Sequence, residues 1–398
     1  MSVVFKPLAP GATLGVLGGG QLGRMWVHAA QSMGFQTVVL DPDPQSPAGL
    51  VSHQHIQTDY LDSAGLQQMA AACQAATTEF ENVPADALAQ LSKTIQVAPN
   101  AHAVAVAQDR RLEKAHFVTC RVPVAPFAVI DTQEDLDAVL NQRAGISLLP
   151  GILKTARMGY DGKGQVRVRN PHELVDAYKQ LGGVACVLEK MLPLKAEYSV
   201  IVARGHDGAM VHLPIQHNVH RDGILAMTQV WSGICDRALE TQAIDAAKSI
   251  AQELQYIGVL CVEFFVLQDN TLVVNEIAPR PHNSGHYSLD ACDVSQFGLQ
   301  LRCMAGLPLN QPRQHSPAVM LNLLGDIWSA DKLGSDKLGS DPNFPEVLKL
   351  SGTHLHLYGK GEARKGRKMG HLTITASTAD QAFATANQAA GILGIAAF

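Results

Sequence analysis

Two acidic residues lie in successive apolar runs of the chain and could act on one ligand. Glu263 belongs to the run 258–267 and Glu276 to the run 271–277, and both runs have the β-branched and aromatic composition of strands. The turn residues 268–271 suit a hairpin, which would place the two carboxylates on adjacent antiparallel strands. Carboxylate oxygens are ligands that Mg²⁺ prefers. The pattern therefore predicts a magnesium site held by Glu263 and Glu276.

A polar string follows the second run directly. Residues 279–286 are Pro-Arg-Pro-His-Asn-Ser-Gly-His, so a guanidinium, an imidazole, an amide and a hydroxyl lie within a few residues of the predicted metal ligands. A cation here can offset charge on a transferred phosphoryl group, and the neighbouring polar groups can hold an acceptor. The string therefore predicts an acceptor site beside a site of phosphate transfer.

Composition and charge restrict the class of protein. A hydrophobic content of 46% with 17% charged residues is typical of folded chains, and 398 residues suggest two or three domains. The net charge of −5 argues against a general nucleic-acid binder, and the sequence lacks an apolar run of about 18 residues that would predict a membrane span. The seven cysteines include no C-x-x-C pair, which indicates free thiols. We therefore expect a cytoplasmic protein that binds neither nucleic acid nor membrane.

The elements that must position these residues change in pattern along the chain. Strand-like and helix-like runs alternate through residues 1–108, which predicts an open parallel α/β sheet. Residues 109–312 mix strands and helices in an α+β pattern, and residues 313–398 contain three strand-like runs and a final helix. We predict that these ranges are three domains, the last one small and rich in strands. The tandem copy of Asp-Lys-Leu-Gly-Ser at 331–340 suits a surface-loop insertion.

A glycine-rich turn joins the first predicted strand to the first predicted helix. Residues 18–23 match the G-x-G-x-x-G spacing, and Asp41 ends the next strand about 20 residues later. Three interpretations are open: a dinucleotide site, a turn for close helix–strand packing, or amides that bind the phosphate or ribose of a mononucleotide-like substrate. We favour the third, because the rest of the chain carries its own nucleotide machinery.

That machinery begins with Lys154 at the end of an apolar run. Its ammonium can project towards phosphate oxygens, and the segment 157–165 has three glycines within six residues. A flap of this composition can fold its amides over phosphates and exclude water, although the same residues could simply join a hairpin. Combined with Lys154 and the later carboxylates, the segment favours a nucleotide-covering role.

Further polar residues lie where predicted strands end. Glu189 could accept a hydrogen bond from an adenine amino group, Glu197 could accept from ribose hydroxyls, and His220 could bond a phosphate. Each could equally be an ordinary surface or structural residue. Glu81 follows the fourth strand, at the edge where open α/β sheets bind ligands. The basic, glycine-rich segment 358–371 could clasp a phosphate or be a solvated turn.

Together these motifs resemble the ATP-grasp enzymes of purine synthesis, and among them the 5-(carboxyamino)imidazole ribonucleotide synthetase family. The matching strings follow the family's order along nearly the whole chain, at 18–25, 78–83, 159–165, 217–220, 222–225 and 275–286. The resemblance implies a central ATP-grasp domain, with ATP and Mg²⁺ bound there. It also implies a homodimer that carboxylates 5-aminoimidazole ribonucleotide with bicarbonate, through carboxyphosphate, giving ADP and phosphate.

The resemblance further implies roles for individual residues. ATP would be bound by Arg110, Lys154, Gly159, Tyr160, Asp161, Gly162, Lys163, Gly164, Gln165, Glu189, Lys190, Met191, Leu192, Glu197, His220, Asn275 and Glu276. Glu263 and Glu276 would hold Mg²⁺, and the catalytic residues would be Asp161, Arg280, His282 and Asn283. The bicarbonate and ribonucleotide sites would also include Gln21, Leu22, Glu81, Ser284, Lys360 and Arg367.

Three alternatives fit parts of the sequence. Formate-dependent glycinamide ribonucleotide transformylase is a related ATP-grasp enzyme, but it usually has glutamate where Gln21 stands. An NAD-dependent dehydrogenase would use residues 18–23 and Asp41, and it would bind NADH saturably. A nucleotide sensor without activity would bind ATP without turnover, and the intact carboxylates and basic residues argue against it.

We predict that Asp161 acts on the acceptor amine when the flap closes. Asp161→Asn keeps the side chain's size but removes its charge, so steady-state turnover should fall by about a hundredfold or more. A variant that turns over normally would exclude this role.

Overall fold

The N-terminal part of the chain is an open parallel sheet. The computed structural model describes residues 5–141, 148–159, 164–328 and 342–398. Five strands follow in the spatial order β3-β2-β1-β4-β5: β1 (Thr13–Leu17), β2 (Gln36–Leu40), β3 (Gln54–Ile56), β4 (Ala75–Thr78) and β5 (Gln96–Val97). Four helices connect or follow them: α1 (Gln21–Ser32), α2 (Ser63–Ala72), α3 (Ala85–Leu91) and α4 (Ala101–Ala107). The predicted α/β sheet is confirmed.

A second, smaller sheet is antiparallel. Its four strands lie in the order β6-β9-β7-β8: β6 (Phe127–Ile130), β7 (Gly151–Thr155), β8 (Gln165–Val168) and β9 (Cys186–Lys190). Helix α5 (Arg110–Thr119) precedes this sheet, and α6 (Gln133–Asn141) and α7 (Pro171–Gln180) belong to it. Because β7 and β8 pair directly, the glycine-rich segment joins the two strands of a hairpin.

The remaining strands form one long antiparallel sheet of nine strands. They are β10 (Leu194–Arg204), β11 (Met210–His212), β12 (Gln216–Arg221), β13 (Ile224–Val230), β14 (Gly258–Leu267), β15 (Leu272–Ala278), β16 (Ala318–Leu324), β17 (Thr353–Leu357) and β18 (Lys368–Thr375). The accompanying helices are α8 (Arg237–Glu253), α9 (Ser288–Ala291), α10 (Gln296–Ala305), α11 (Phe344–Val347) and α12 (Ala379–Ile392). Short 3₁₀ helices occupy Gly49–Val51, Asn283–Gly285 and Gly325–Trp328.

The C-terminal strands continue the central sheet. β13 pairs with β16 over Met227 to Val230, so hydrogen bonds cross the predicted boundary near residue 312. β18 begins at Lys368, earlier than the predicted start at 371, because it pairs with the full length of β16. The boundaries at 108 and 312 stay predictions. The repeat at 331–340 lies outside the described residues.

Helix α10 joins the parallel sheet to the long sheet. Phe297 and Leu301 pack in the same core as Trp26 of α1, whereas Leu299 and Cys303 pack against residues of β10 and β14. A helix that is apolar on both sides is typical of a position between two packed layers. No helix among the described residues is long and apolar enough to cross a membrane.

Gln300 on α10 makes the polar contacts between these layers. Its Oε1 accepts the Val259 backbone N–H at 2.6 Å, and its Nε2 donates to Thr77 Oγ1 at 2.7 Å.

Gln300→Leu should lower the free energy of unfolding by about 1–3 kcal/mol, because the buried Val259 N–H loses its acceptor. Urea denaturation followed by circular dichroism measures this. Gln67→Leu on the exposed face of α2 is the control, and equal losses in both variants would contradict the prediction.

Candidate active site

The two predicted metal ligands face each other across one hairpin. Glu263 on β14 and Glu276 on β15 are directly opposed in the antiparallel register. Opposed residues project from the same face of a sheet, with Cβ atoms about 5 Å apart. Burial and the neighbouring Glu276 carboxylate raise the pKa of Glu263 to about 8. The predicted hairpin and the adjacency of the two acids are confirmed.

Cations surround this acid pair on one side. Arg110 at the start of α5 places Nη1 3.1 Å from Glu276 Oε2. Burial favours the neutral form of Glu276, but Arg110 and Lys154 hold its pKa below the usual value. The two carboxylates therefore differ in their proton affinity although they share one surface.

Glu189 connects two buried lysines. Its Oε2 lies 3.1 Å from Lys154 Nζ and 3.3 Å from Lys114 Nζ. Burial lowers the pKa of the Lys154 ammonium, and Glu189 only partly opposes this effect. The Lys154 ammonium, which was predicted to project towards phosphate oxygens, is accompanied by the Glu189 carboxylate in this structure. No sequence motif pointed to Lys114, which is completely buried; its helical spacing of four residues from Arg110 is the signal that could have identified it.

Unpartnered buried oxygens mark where a ligand can bind. Glu189 Oε1 and Asn275 Oδ1 are buried without a hydrogen-bond partner among the described residues. Such atoms are rare because each forfeits a hydrogen bond that water would supply. Both belong to residues that were predicted to bind ATP.

Glu197 and His220 form an ion pair at the edge of the same surface. Glu197 Oε2 lies 2.8 Å from His220 Nδ1, across the pairing of β10 with β12. Burial alone would lower the pKa of His220, but Glu197 raises it above the usual value. The structure thus brings both predicted residues together.

The other predicted nucleotide residues lie at the two strand ends beside Lys154. Gln165 is the register partner of Lys154, so both ends of the flap begin next to the lysine–glutamate group. Gly159 and Gly164 lie within the described residues, whereas Tyr160, Asp161, Gly162 and Lys163 lie outside them. Lys190 at the end of β9 is exposed, as is Met191 after it, and Leu192 is half-buried. The Met191 amide donates to Pro150 O at 2.9 Å, so it is already occupied.

The polar string after β15 is partly a positioning network. His282 Nε2 lies 3.2 Å from Glu263 Oε1, and its Nδ1 lies 3.0 Å from Ser284 Oγ. Ser284 is completely buried and also bonds Ser199 Oγ at 2.8 Å. In this structure the Ser284 hydroxyl is enclosed and holds His282, and its contact with substrate stays a prediction. Asn283 differs, since both polar atoms of its buried amide lack a partner among the described residues.

The glycine-rich turn binds the protein's own carboxylates. Glu79 accepts the Gly20 amide at 2.9 Å and the Gly23 amide at 3.1 Å, and Asp41 accepts the Gly19 amide at 2.7 Å. A Cβ on Gly20 would lie 2.8 Å from Glu79 Oε1, so glycine lets the carboxylate approach. The favoured interpretation, ligand phosphate on these amides, is wrong for this arrangement, because a buried carboxylate occupies the helix N-terminus. The dinucleotide interpretation fails for the same reason.

The substrate-binding residues predicted in the N-terminal unit lie at the carboxyl edge of its sheet. Glu81 pairs with Arg280 of the polar string, so the structure brings these two predicted residues together. Gln21 is half-buried at the start of α1. Leu22 packs into the hydrophobic core with Trp26, and its place in the ribonucleotide site stays a prediction.

The hairpin between β17 and β18 reaches the N-terminal unit. Tyr358 packs in the core that contains Trp26, and a Cβ on Gly359 would lie 3.2 Å from Arg24 Nη1. Lys360 Nζ donates to Lys368 O at 2.8 Å, and Arg367 Nη1 donates to Glu362 O at 2.7 Å. Both predicted cations thus hold their own hairpin in this structure.

Lys368 lies in the basic segment 358–371, of which only Lys360 and Arg367 were predicted as binding residues. Burial and Glu276 raise the pKa of Glu263, and the Lys368 charge opposes that rise; burial and Arg280 lower the pKa of His282, and Lys368 adds to that effect. Because the predicted strand began at 371, Lys368 was assigned to a loop and not to β18.

A histidine–aspartate group lies at the base of the same hairpin. Asp290 Oδ2 is 2.9 Å from His356 Nε2, and the rings of His356 and His371 stack with centroids 4.5 Å apart and planes at 11°. Imidazole binds metal in the plane of its ring, and two stacked parallel rings do not share such a plane. The group therefore fixes the hairpin rather than holding an ion.

Three family models match successive parts of the chain. Residues 11–108 match the ribonucleotide synthetase preATP-grasp domain, residues 115–297 the ATP-grasp domain, and residues 318–385 the phosphoribosylaminoimidazole carboxylase C-terminal domain. Each match falls within one of the three predicted ranges.

Relatives match over nearly the full length. An N5-carboxyaminoimidazole ribonucleotide synthase of Brucella melitensis is 42% identical, covering 92% of this chain and 97% of the relative. The Staphylococcus aureus N5-carboxyaminoimidazole synthetase complexed with ADP superposes with a TM-score of 0.87 at 38% identity, over 98% of this chain and 99% of that one. The Aspergillus clavatus synthase with ADP and 5-aminoimidazole ribonucleotide has a TM-score of 0.85 at 29% identity, over 96% and 99%.

The Glu79 contacts predict a stability effect. Glu79→Gln keeps the size but replaces one acceptor oxygen by an amino group, so one glycine amide loses its partner. We expect a loss of about 1–3 kcal/mol in the free energy of unfolding, measured in urea at neutral pH. Glu134→Gln on the exposed surface of α6 is the control. Identical midpoints for Glu79→Gln and wild type would show that the carboxylate does not hold this turn.

Proposed function

The chain belongs to the N5-carboxyaminoimidazole ribonucleotide synthase family, and from this premise we propose that it carboxylates 5-aminoimidazole ribonucleotide. ATP would transfer its γ-phosphoryl group to bicarbonate, giving ADP and carboxyphosphate. The exocyclic amine of the ribonucleotide would then attack the activated carboxyl carbon, forming the C–N bond and releasing phosphate. The protein is accordingly a ligase of the ATP-grasp class.

The observation that carries this proposal is the opposed acid pair beside a group of buried cations. Glu263 and Glu276 share one face of a hairpin, and Arg110 lies 3.1 Å from Glu276. Phosphoryl transfer depends on positioning and on offsetting charge at the transferred group, and both kinds of residue are present at this surface. ATP is the phosphoryl donor that we propose for this site.

The acid pair also fits a magnesium ion. Both donors are carboxylates, and the pKa of Glu263, which burial and Glu276 raise to about 8, indicates charge that the protein does not fully offset. We propose that Glu263 and Glu276 hold Mg²⁺, which when bound supplies positive charge to the triphosphate. Asn275 adds a buried, unpartnered oxygen next to Glu276.

On the nucleotide side, we propose that the strand ends of the small sheet bind the adenosine part of ATP. Glu189 retains a buried, unpartnered Oε1 that can accept the adenine amino group. Glu197 and His220 form an ion pair that can hydrogen-bond the ribose hydroxyls or a phosphate. The flap 159–165 would cover the phosphates from the hairpin that carries Lys154, and it would exclude water from carboxyphosphate.

On the acceptor side, we propose that Asn283, His282 and Arg280 hold bicarbonate and the ribonucleotide. Asn283 presents a buried amide whose donor and acceptor lack partners among the described residues. Burial and the nearby Arg280 charge hold the pKa of His282 well below its usual value, so its imidazole is neutral and can hydrogen-bond a ligand. Arg280 brings positive charge next to Glu81. Gln21, Lys360 and Arg367 would complete the ribonucleotide site.

A homodimer and a cytoplasmic location are further proposals, which rest on the family resemblance. The seven cysteines are free thiols in the structure, which is compatible with a reducing compartment.

Phosphate release from ATP tests the function. With Mg²⁺ and bicarbonate present, 5-aminoimidazole ribonucleotide should stimulate release by about tenfold or more, because capture of carboxyphosphate needs the amine in place. Glu263→Gln is the matched control and should abolish the stimulated rate. Absence of stimulation in the wild-type protein would refute the proposed acceptor, and full activity of Glu263→Gln would refute the metal assignment.

A further inference from the structure

Three side chains on one face of α5 contact three consecutive residues of β15, the strand that carries Glu276. Arg110, Glu113 and Lys114 are spaced i, i+3 and i+4, which places them on one side of the helix. Arg110 Nη1 lies 3.1 Å from the Glu276 carboxylate. Lys114 Nζ donates to the Asn275 carbonyl at 2.9 Å, and the Ile277 amide donates to Glu113 Oε1 at 2.8 Å. The helix therefore fixes both the side chain and the backbone of β15 at this point.

Lys114 also reaches the second sheet. Its ammonium lies 3.3 Å from Glu189 Oε2 on β9, while the same ammonium binds the carbonyl of Asn275 on β15. A single side chain thus links the strand that carries Glu276 to the strand proposed to meet the adenine. The Lys114 side chain has no solvent exposure and that of Glu189 only 5%.

A buried ammonium of this kind is costly unless its contacts are well made. Moving a charge out of water costs several kcal/mol, so a plain packing role would be served as well by an apolar side chain. Lys114 instead contacts Glu189 and Asn275. Each of these residues has one buried oxygen without a partner among the described residues, Glu189 Oε1 and Asn275 Oδ1. Lys114 contacts the other carboxylate oxygen of Glu189 and the backbone carbonyl of Asn275. The two open oxygens are thereby held in a defined direction.

We propose that Lys114 is a positioning residue of the nucleotide site, which sets Glu189 and Asn275 relative to each other and leaves one oxygen of each for the ligand. Glu113 is its companion and holds the next backbone amide of the same strand. The inference rests on the proposed function only in so far as the ligand is an adenine nucleotide. It requires neither bicarbonate nor the ribonucleotide.

Calorimetric titration with Mg-ADP tests the inference without the carboxylation reaction. Lys114→Met keeps the length of the stem and removes the ammonium, so ADP affinity should fall by about tenfold or more. The matched control is Lys179→Met, the same substitution at an exposed position of α7, which should bind ADP as wild type does. An affinity of Lys114→Met within about twofold of wild type would overturn the proposal.

A double-mutant cycle separates positioning from a general loss of packing. Glu189→Gln removes the charge that Lys114 accompanies, so Lys114→Met and Glu189→Gln combined should weaken ADP binding less than the product of the two single effects. Effects that multiply fully would show that the pair does not act as a unit and would overturn the proposal. Lys114→Arg, which keeps the charge, should recover part of the affinity, and no recovery would also count against it.

Steady-state kinetics and stability complete the test. In Lys114→Met, the KM for ATP should rise while the KM for the ribonucleotide stays unchanged, and equal rises in both would indicate a structural defect instead of positioning. If Lys114→Met folds poorly, the melting temperature of the double variant is measured. A value above that of Lys114→Met supports the pairing, and a value equal or lower overturns it. Failure of ribonucleotide stimulation in wild type would refute the carboxylation proposal but would leave these ADP measurements valid.

Discussion

The approach of two carboxylates across one hairpin is the constraint around which this molecule is arranged. Glu263 and Glu276 are register partners, so the sheet itself brings like charges together, and burial makes their repulsion stronger than it would be in water. Arg110 stabilises the charged form of one carboxylate, and a neighbouring imidazole, His282, meets the other. The residual charge is what makes the pair suited to a divalent cation. Helix α5 and the polar string therefore supply the groups that surround the two acids.

The same principle explains why the glycine-rich turn does not act as its spacing suggests. A helix N-terminus attracts an anion, but it does not specify whether that anion belongs to a ligand or to the protein. Here Glu79, from the neighbouring parallel strand, supplies both oxygens to the glycine amides. The turn is thereby fixed at the edge where Glu81 meets Arg280, and Gln21 begins the helix that follows it. Burial raises the pKa of Glu79, and the two glycine amides oppose that effect.

Three sheets meet at the site because single elements contact more than one of them. Helix α10 packs against both the parallel sheet and the long sheet, with Gln300 bonding backbone or side-chain groups of each. Tyr358, in the hairpin between β17 and β18, packs in the hydrophobic core of the N-terminal unit. Lys114 links the small sheet to the long one. Residues far apart in the chain are thus held near one another by a few buried contacts.

The sequence by itself determined which elements form and which residue types cluster along the chain, because periodicity, glycine turns and short hairpins are local properties. Glu263 and Glu276 could be paired in this way, since only a four-residue turn separates their runs. The tertiary structure alone decided which charge meets which. In the folded protein, glycine amides donate to Glu79, the Ser284 hydroxyl bonds His282, and the Lys154 ammonium pairs with Glu189. Most of these partners come from strands and helices that are distant in sequence. A buried charge without a partner is costly in the low-dielectric interior, so the stable arrangement is the one in which buried charges are paired.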